Sequence, residues 1–267
     1  MLRFRPDINL TALGLGIALC GAPALAQDRA DAAPVRTRVA LGPQLVPSYP
    51  GADGVRLAPF VDVSKATGDA PFVFEAADES FGVPLLSRDG FSVGPALGFE
   101  GRRRSRDVGG LLPAVGTTVE VGGYAQYQLA PPLRLRMEVR QGIGGHKGLI
   151  ANVGADYVVR HGDDWLLSVG PRVTLSNGRY NRAYYGVSPT DALVSGLPAY
   201  DIKAGVQAAG VVASYSRQLT PTWGVYGYAK YDRLVGDAAD SPVVARYGSR
   251  SQPSAGLALT YTFTRRR

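Results

Sequence analysis

Between Leu133 and Arg140 the chain alternates without a break, with Leu133, Leu135, Met137 and Val139 interleaving with Arg134, Arg136, Glu138 and Arg140. Successive side chains of a β-strand point to opposite faces, so this run makes one face wholly apolar and the other wholly charged. The same period recurs downstream. Leu149, Ala151, Val153, Ala155, Tyr157 and Val159 stand against Asn152, Gly154, Asp156 and Arg160. Trp165, Leu167, Val169, Val173 and Leu175 stand against Ser168, Gly170, Arg172, Thr174 and Ser176. The last such run sets Leu257, Leu259, Tyr261 and Phe263 against Gly256, Ala258, Thr260 and Thr262.

A soluble sandwich also alternates in this way. Three features favour a barrel in lipid. The runs last about ten residues, the length a tilted strand needs to cross the hydrocarbon. Aromatic residues (Trp165, Trp223, Tyr231, Tyr261, Phe263) sit toward the ends of the runs, where membrane girdles form. The polar faces are rich in Gly, Ser and Thr with scattered charges, which suits a narrow wet interior. Mean hydropathy near zero is what a barrel wall produces, because lipid-facing and lumen-facing residues average out.

The first residues indicate the compartment. Arg3 and Arg5 precede an apolar run from Leu10 to Cys20, and Ala24-Leu25-Ala26 supplies the small residues of a cleavage site. That order marks residues 1–26 as a signal peptide cut after Ala26. A lipoprotein signal would want a small residue before Cys20, where Leu19 stands. Cleavage removes the sole cysteine, so the mature chain has no disulfide, thiolate nucleophile or Cys metal site.

Connections alternate between tight and long. Ser87–Gly90, Ala130–Pro132, His161–Asp164 and Leu219–Thr222 read as turns, and Arg102–Val115, Gly142–Gly148, Asn177–Tyr200 and Arg233–Pro253 as loops. Strands are expected near 38–46, 55–64, 71–76, 80–87, 90–101, 116–129, 133–141, 149–160, 165–176, 201–219, 222–232 and 254–263. The expected fold is all-β, a transmembrane antiparallel β-barrel of about 12 strands with periplasmic N- and C-termini. Alternation fails after Gln207, which points to a bulge there. Residues 27–36 read as a flexible N-terminal arm and 37–267 as the barrel.

Several blocks carry a resemblance. Pro47-Ser48-Tyr49-Pro50-Gly51 follows the first strand, and Val119-Glu120-Val121-Gly122 lies in a middle one. Then come Tyr184-Tyr185-Gly186-Val187-Ser188, Ser195-Gly196-Leu197-Pro198-Ala199-Tyr200, and the run from Tyr231 to Pro242. In these blocks, across nearly the whole mature chain, the sequence resembles the MltA-interacting protein (MipA/OmpV) family of Gram-negative outer membranes. The resemblance implies an outer-membrane barrel. It also implies a scaffold bridging a lytic transglycosylase and a murein synthase, while other members resemble porins or surface adhesins. One departure is the basic tail Thr264-Arg265-Arg266-Arg267, where a family barrel ends on an aromatic.

No catalytic constellation stands out, and no cofactor or metal set is expected. His146 and His161 fall at opposite ends of this topology and cannot form one site. Glu120, Arg134, Arg136, Glu138, Arg140, Asp156, Arg160 and Arg172 share the lumen face. They read either as a charged constriction that selects solutes or as ion pairs filling a small barrel, and their mixed signs favour the pairs. Arg102, Arg103, Arg104 and Arg106 form a loop run that either binds lipid phosphates of the outer leaflet or is simply solvated. Asp237 and Asp240 lack the pattern of a calcium loop. A net charge of +7 without a basic-aromatic platform, in this compartment, argues against nucleic acid. The function that the resemblance implies is a non-enzymatic scaffold for periplasmic murein enzymes. The alternatives are a porin-like channel for small solutes and an outer-membrane lipid hydrolase using His146.

Overall fold

A computed structural model describes residues 33–265. The expected signal peptide and most of the N-terminal arm lie outside the described residues, as do Arg266 and Arg267. Eleven strands form one sheet among the described residues: β1 (Val35–Pro47), β2 (Val55–Thr67), β3 (Leu86–Arg88), β4 (Phe91–Glu100), β5 (Thr118–Ala130), β6 (Leu133–Gly144), β7 (Leu149–His161), β8 (Trp165–Ser176), β9 (Gly205–Gln218), β10 (Trp223–Leu234) and β11 (Ser251–Arg265). Every neighbouring pair is antiparallel, in the order β2-β1-β11-β10-β9-β8-β7-β6-β5-β4-β3. The first and last long strands therefore pair, Val35 opposite Arg265, and both described ends lie at one rim.

The alternation read from the sequence is inside out relative to a soluble protein. In β6, Leu135 and Met137 are exposed at 42% and 49%, while Arg134 and Glu138 are each 3% exposed. β8 and β11 repeat this, hiding Ser168, Arg172, Thr174, Thr260 and Thr262 and exposing Leu167, Val169, Leu257 and Leu259. Apolar area left outside is stable only against an apolar solvent, at roughly 25 cal/mol per Å². Such a sheet belongs in a bilayer. None of the described helices is long and apolar enough to cross a membrane.

Four corrections apply to the expected strands. Val35 and Arg36 belong to β1, not to the arm, and Thr264 and Arg265 extend β11 opposite them. The expected strand over 71–76 does not form, and that over 80–87 shortens to β3. The twelve expected strands are thus eleven. The reason is local chemistry: Phe72 lies 4.0 Å from the Arg38 guanidinium and Phe74 lies 4.5 Å from that of Arg134, both inside the lumen. The aromatic face that reads as lipid-facing is satisfied by cations within. At Gln207 the β8–β9 register slips, as its loss of alternation indicates.

Tight turns close one rim. Asp89 and Gly90 both have positive φ, 51° and 80°, the two-residue geometry that joins twisted antiparallel strands. At the other rim the long connections fold into short helices, α1 (Gly178–Tyr185), α2 (Pro189–Ser195), α3 (Gly236–Ala239) and α4 (Pro242–Tyr247). Three of them are capped locally: Asn177 accepts from the Tyr180 N–H at 3.0 Å, and Ser188 and Ser241 each precede a proline at the first turn.

Candidate functional site

The largest apolar core is not in the barrel but over its long-loop rim. Tyr49, Val108, Leu112, Ile150, Tyr180, Tyr184, Tyr185, Ile202, Leu234 and Val244 form one buried cluster. It draws on the connections 48–54, 101–117, 177–204 and 235–250, and His146 of the remaining one packs against Tyr180 with ring centroids 4.7 Å apart. Together they make a lid. The bulge residue Gln207 ties the wall to it by donating to the Tyr185 hydroxyl at 2.7 Å. Burial pushes the Tyr185 hydroxyl above its ordinary pKa, so it stays protonated.

Arg103 belongs to this lid. It is 3% exposed, and its terminal nitrogens donate to the Tyr184 carbonyl at 2.7 Å and the Pro113 carbonyl at 3.0 Å. It is therefore removed from the set of lipid-phosphate candidates, because the guanidinium is buried among protein carbonyls where no lipid headgroup reaches it. Arg102, Arg104 and Arg106 remain exposed. Arg103→Ala leaves two carbonyls without their charged donor, and a loss of about 2–3 kcal/mol in lid stability is expected. Limited proteolysis of the 177–204 loop would read it; unchanged resistance would contradict the assignment. Asp237 and Asp240 are also structural: the Asp237 carbonyl accepts from Tyr200 Oη at 2.8 Å, and Asp240 pairs with Arg250 at 3.0 Å.

Below the lid lies a single network of charge. All eight lumen-facing residues named from the sequence point inward, and the structure brings seven of them into contact. Asp156, 1% exposed, bridges Arg134 and Arg172, each at 2.6 Å. Glu138 bridges Arg136 at 2.7 Å and Arg140 at 2.5 Å, and Arg140 reaches Glu120 at 2.9 Å. Arg160 stands apart at the short-turn rim, paired with Asp163 at 2.9 Å.

Four charged members of the network were missed, Asp78, Glu79, Lys230 and the Asp232 that Lys230 meets at 2.9 Å. Residues 70–81 leave the end of β2, enter the lumen, and present Asp78 and Glu79 at mid-depth. Asp78 meets Arg172 at 3.0 Å and Lys230 at 3.1 Å; Glu79 pairs with Arg134 and lies 3.5 Å from Arg136. Ser80 Oγ then donates to Glu138 at 2.6 Å. A signal for this was present, since the eight residues hold five arginines against three carboxylates. Two acids had to come from elsewhere. The inward segment is thus a plug held by ion pairs.

His146 sits where lid and network meet. Its Nδ1 accepts from the Gly148 N–H at 3.0 Å, so Nε2 carries the proton and donates to Glu120 at 3.0 Å. Both nitrogens are committed, which leaves none to activate a serine. Gly142 has to be glycine here, because a Cβ would lie 2.3 Å from the imidazole.

The chain that forms this inside-out sheet matches the family model of MltA-interacting protein MipA over residues 39–263. The chain belongs to the MltA-interacting protein family. It is a β-barrel protein of the outer membrane. No curated protein matches it. Among solved structures it is similar to an outer membrane channel from Pseudomonas putida F1 (9% identity, 90% of this chain and 100% of that chain, TM-score 0.43). It is also similar to the NanC porin (10% identity, 85% and 98%, TM-score 0.38) and to the N-terminal β-barrel domain of Pseudomonas aeruginosa OprF (14% identity, 65% and 98%, TM-score 0.28). The family match and the topology above, not these distant likenesses, carry the assignment. The blocks by which the sequence resembles this family now have a place: Tyr49, Tyr184-Tyr185 and the stretch ending at Pro242 build the lid.

Proposed function

We propose that this protein is a non-enzymatic scaffold that docks periplasmic murein-remodelling enzymes, a lytic transglycosylase and a murein synthase, at the outer membrane. The observation that supports this reading is the occupied lumen. A plug held by buried ion pairs and a lid with its own core stand in series along the axis, an arrangement suited to a rigid platform and not to solute passage. The committed ring of His146 likewise offers no base for lipid hydrolysis. In barrels of this kind short turns face the periplasm. The docking surface is then the rim bearing Asp89-Gly90, Pro131-Pro132, 162–164 and 219–222.

Detergent-solubilised protein should enrich a lytic transglycosylase over an unrelated barrel. Grafting glycine-serine turns at 131–132 and 219–222 should abolish that enrichment while the barrel stays folded. Equal capture by the unrelated barrel, or capture that survives both grafts, would overturn the reading. In planar bilayers the intact protein is expected to be silent, and reproducible channel steps would favour the porin reading instead.

A further inference from the structure

The sheet has two ends that do not meet. β2 has a ladder to β1 alone, and no ladder joins it to β3 or β4. Above the Phe81–Leu97 bridge, the last pairing that the plug's return makes with β4, the wall between β2 and β4 is a seam. Unpaired backbone groups facing hydrocarbon cost several kcal/mol each, so a seam at this depth needs an occupant.

Behind it lies a cavity of about 600 Å³. Its lining mixes two kinds of residue that a closed wall would keep apart. Val61 and Phe99 belong to the lipid-facing surface, at 43% and 63% exposure, yet they line the same cavity as the inward-facing Phe60 and Asp62. The cavity therefore opens sideways into the bilayer. Its volume falls in the range of roughly 300–1,000 Å³ typical of small-molecule sites.

The lining also selects a charge. The lumen acids of the network are each matched by arginine or lysine, but Asp62, Glu75 and Glu100 line the cavity without an ion-pair partner among the described residues. Arg38 and Arg56 line it too, each with one acid near it: Arg38 is the diagonal cross-strand neighbour of Asp62, and Arg56 reaches the end of β4 at Glu100 and Gly101, which leaves Glu75 as the inward carboxylate in excess. Beside the carboxylates, Phe60 stacks on Tyr226 with centroids 5.3 Å apart. Carboxylates next to aromatic faces make a site for an organic cation.

We infer that the seam between β2 and β4 is a lateral binding site for a cationic amphiphile. Its amine head lies against Asp62, Glu75 and the Phe60–Tyr226 pair, and its chain leaves between Val61 and Phe99 to cover the open edge. This site does not rest on murein-enzyme docking; the cavity's far end reaches Gly162 and Asp163 of the short-turn rim, but the proposed head and chain lie against β2 and β4.

The test uses the full protein in phosphatidylcholine nanodiscs. The probes are a spin-labelled alkyl quaternary ammonium and a spin-labelled alkyl phosphate of the same chain length. The ammonium should show a saturable, motionally restricted component, and the phosphate only the component given by boundary lipid. Asp62→Asn with Glu75→Gln should weaken ammonium binding at least tenfold. These near-isosteric changes keep the fold, which the heat-modifiable gel mobility of the barrel checks. Equal restriction of both probes, no saturable component for either, or unchanged affinity in the folded double variant would each overturn the proposal. So would Leu57→Cys chains that cross-link to one another in nanodiscs without binding the ammonium, since a second copy would then be closing the seam.

Discussion

Asp156→Ala is expected to cost about 3–5 kcal/mol of barrel stability, the range for removing one partner from a buried charge cluster. The side chain is 1% exposed and holds two guanidiniums, those of Arg134 and Arg172, at 2.6 Å each. Those same arginines hold the plug through Glu79 and Asp78. Loss of Asp156 leaves Arg134 with Glu79 and Arg172 with Asp78 as their remaining carboxylate partners, so each buried guanidinium keeps donors that nothing nearby accepts. Asp156→Asn keeps one acceptor oxygen and should lose less. Urea unfolding in lipid vesicles, followed by tryptophan fluorescence, measures both. A loss below about 1 kcal/mol for the alanine variant would mean that the cluster is hydrated and not a structural keystone.

The second large effect concerns conduction and is strongly non-additive. Asp78→Ala with Glu79→Ala removes the plug's ties to Arg172, Lys230, Arg134 and Arg136. Tyr185→Ala empties a fully buried position of the lid core and takes away the partner of Gln207. Truncation of a large buried aromatic costs about 3–5 kcal/mol, enough to loosen a lid that is a satellite of the barrel. Because plug and lid lie in series, each set alone should leave the protein silent in planar bilayers, and the combination should give discrete steps. Steps from the plug variant alone would show that the lid does not seal. Silence of the folded triple variant would show that a third element blocks the lumen. Elements coupled through one passage are where additivity fails.

Much of this architecture could be read before any coordinates. The eight-residue alternation of β6, and its repeats in β7, β8 and β11, dictated which side chains face inward, because a strand's period is two and its pleat allows no other choice. The inward placement of Glu120, Arg134, Arg136, Glu138, Arg140, Asp156, Arg160 and Arg172 follows from that alone. The loss of period at Gln207 marked the bulge. Local chemistry announced the turns, from Asp89-Gly90 to Pro131-Pro132.

Other features had no local signature. Phe72-Val73-Phe74 carries the same alternation as a wall strand, and only the guanidiniums of Arg38 and Arg134, distant in sequence, draw it inside. Arg103 reads like Arg102 and Arg104 until the Tyr184 and Pro113 carbonyls surround it. The seam between β2 and β4 is a missing ladder, and pairing between strands is decided by which edges meet, not by the residues of either edge. Period and composition are properties of short segments, so the sequence by itself determined a barrel wall, its charged interior and its family. Which charges find one another across the lumen, which loops share a core and where the wall stays open depend on long-range approach. Only the tertiary structure decided those, because each is a relation between segments a hundred or more residues apart in the least local cases, such as Arg36 with Asp163.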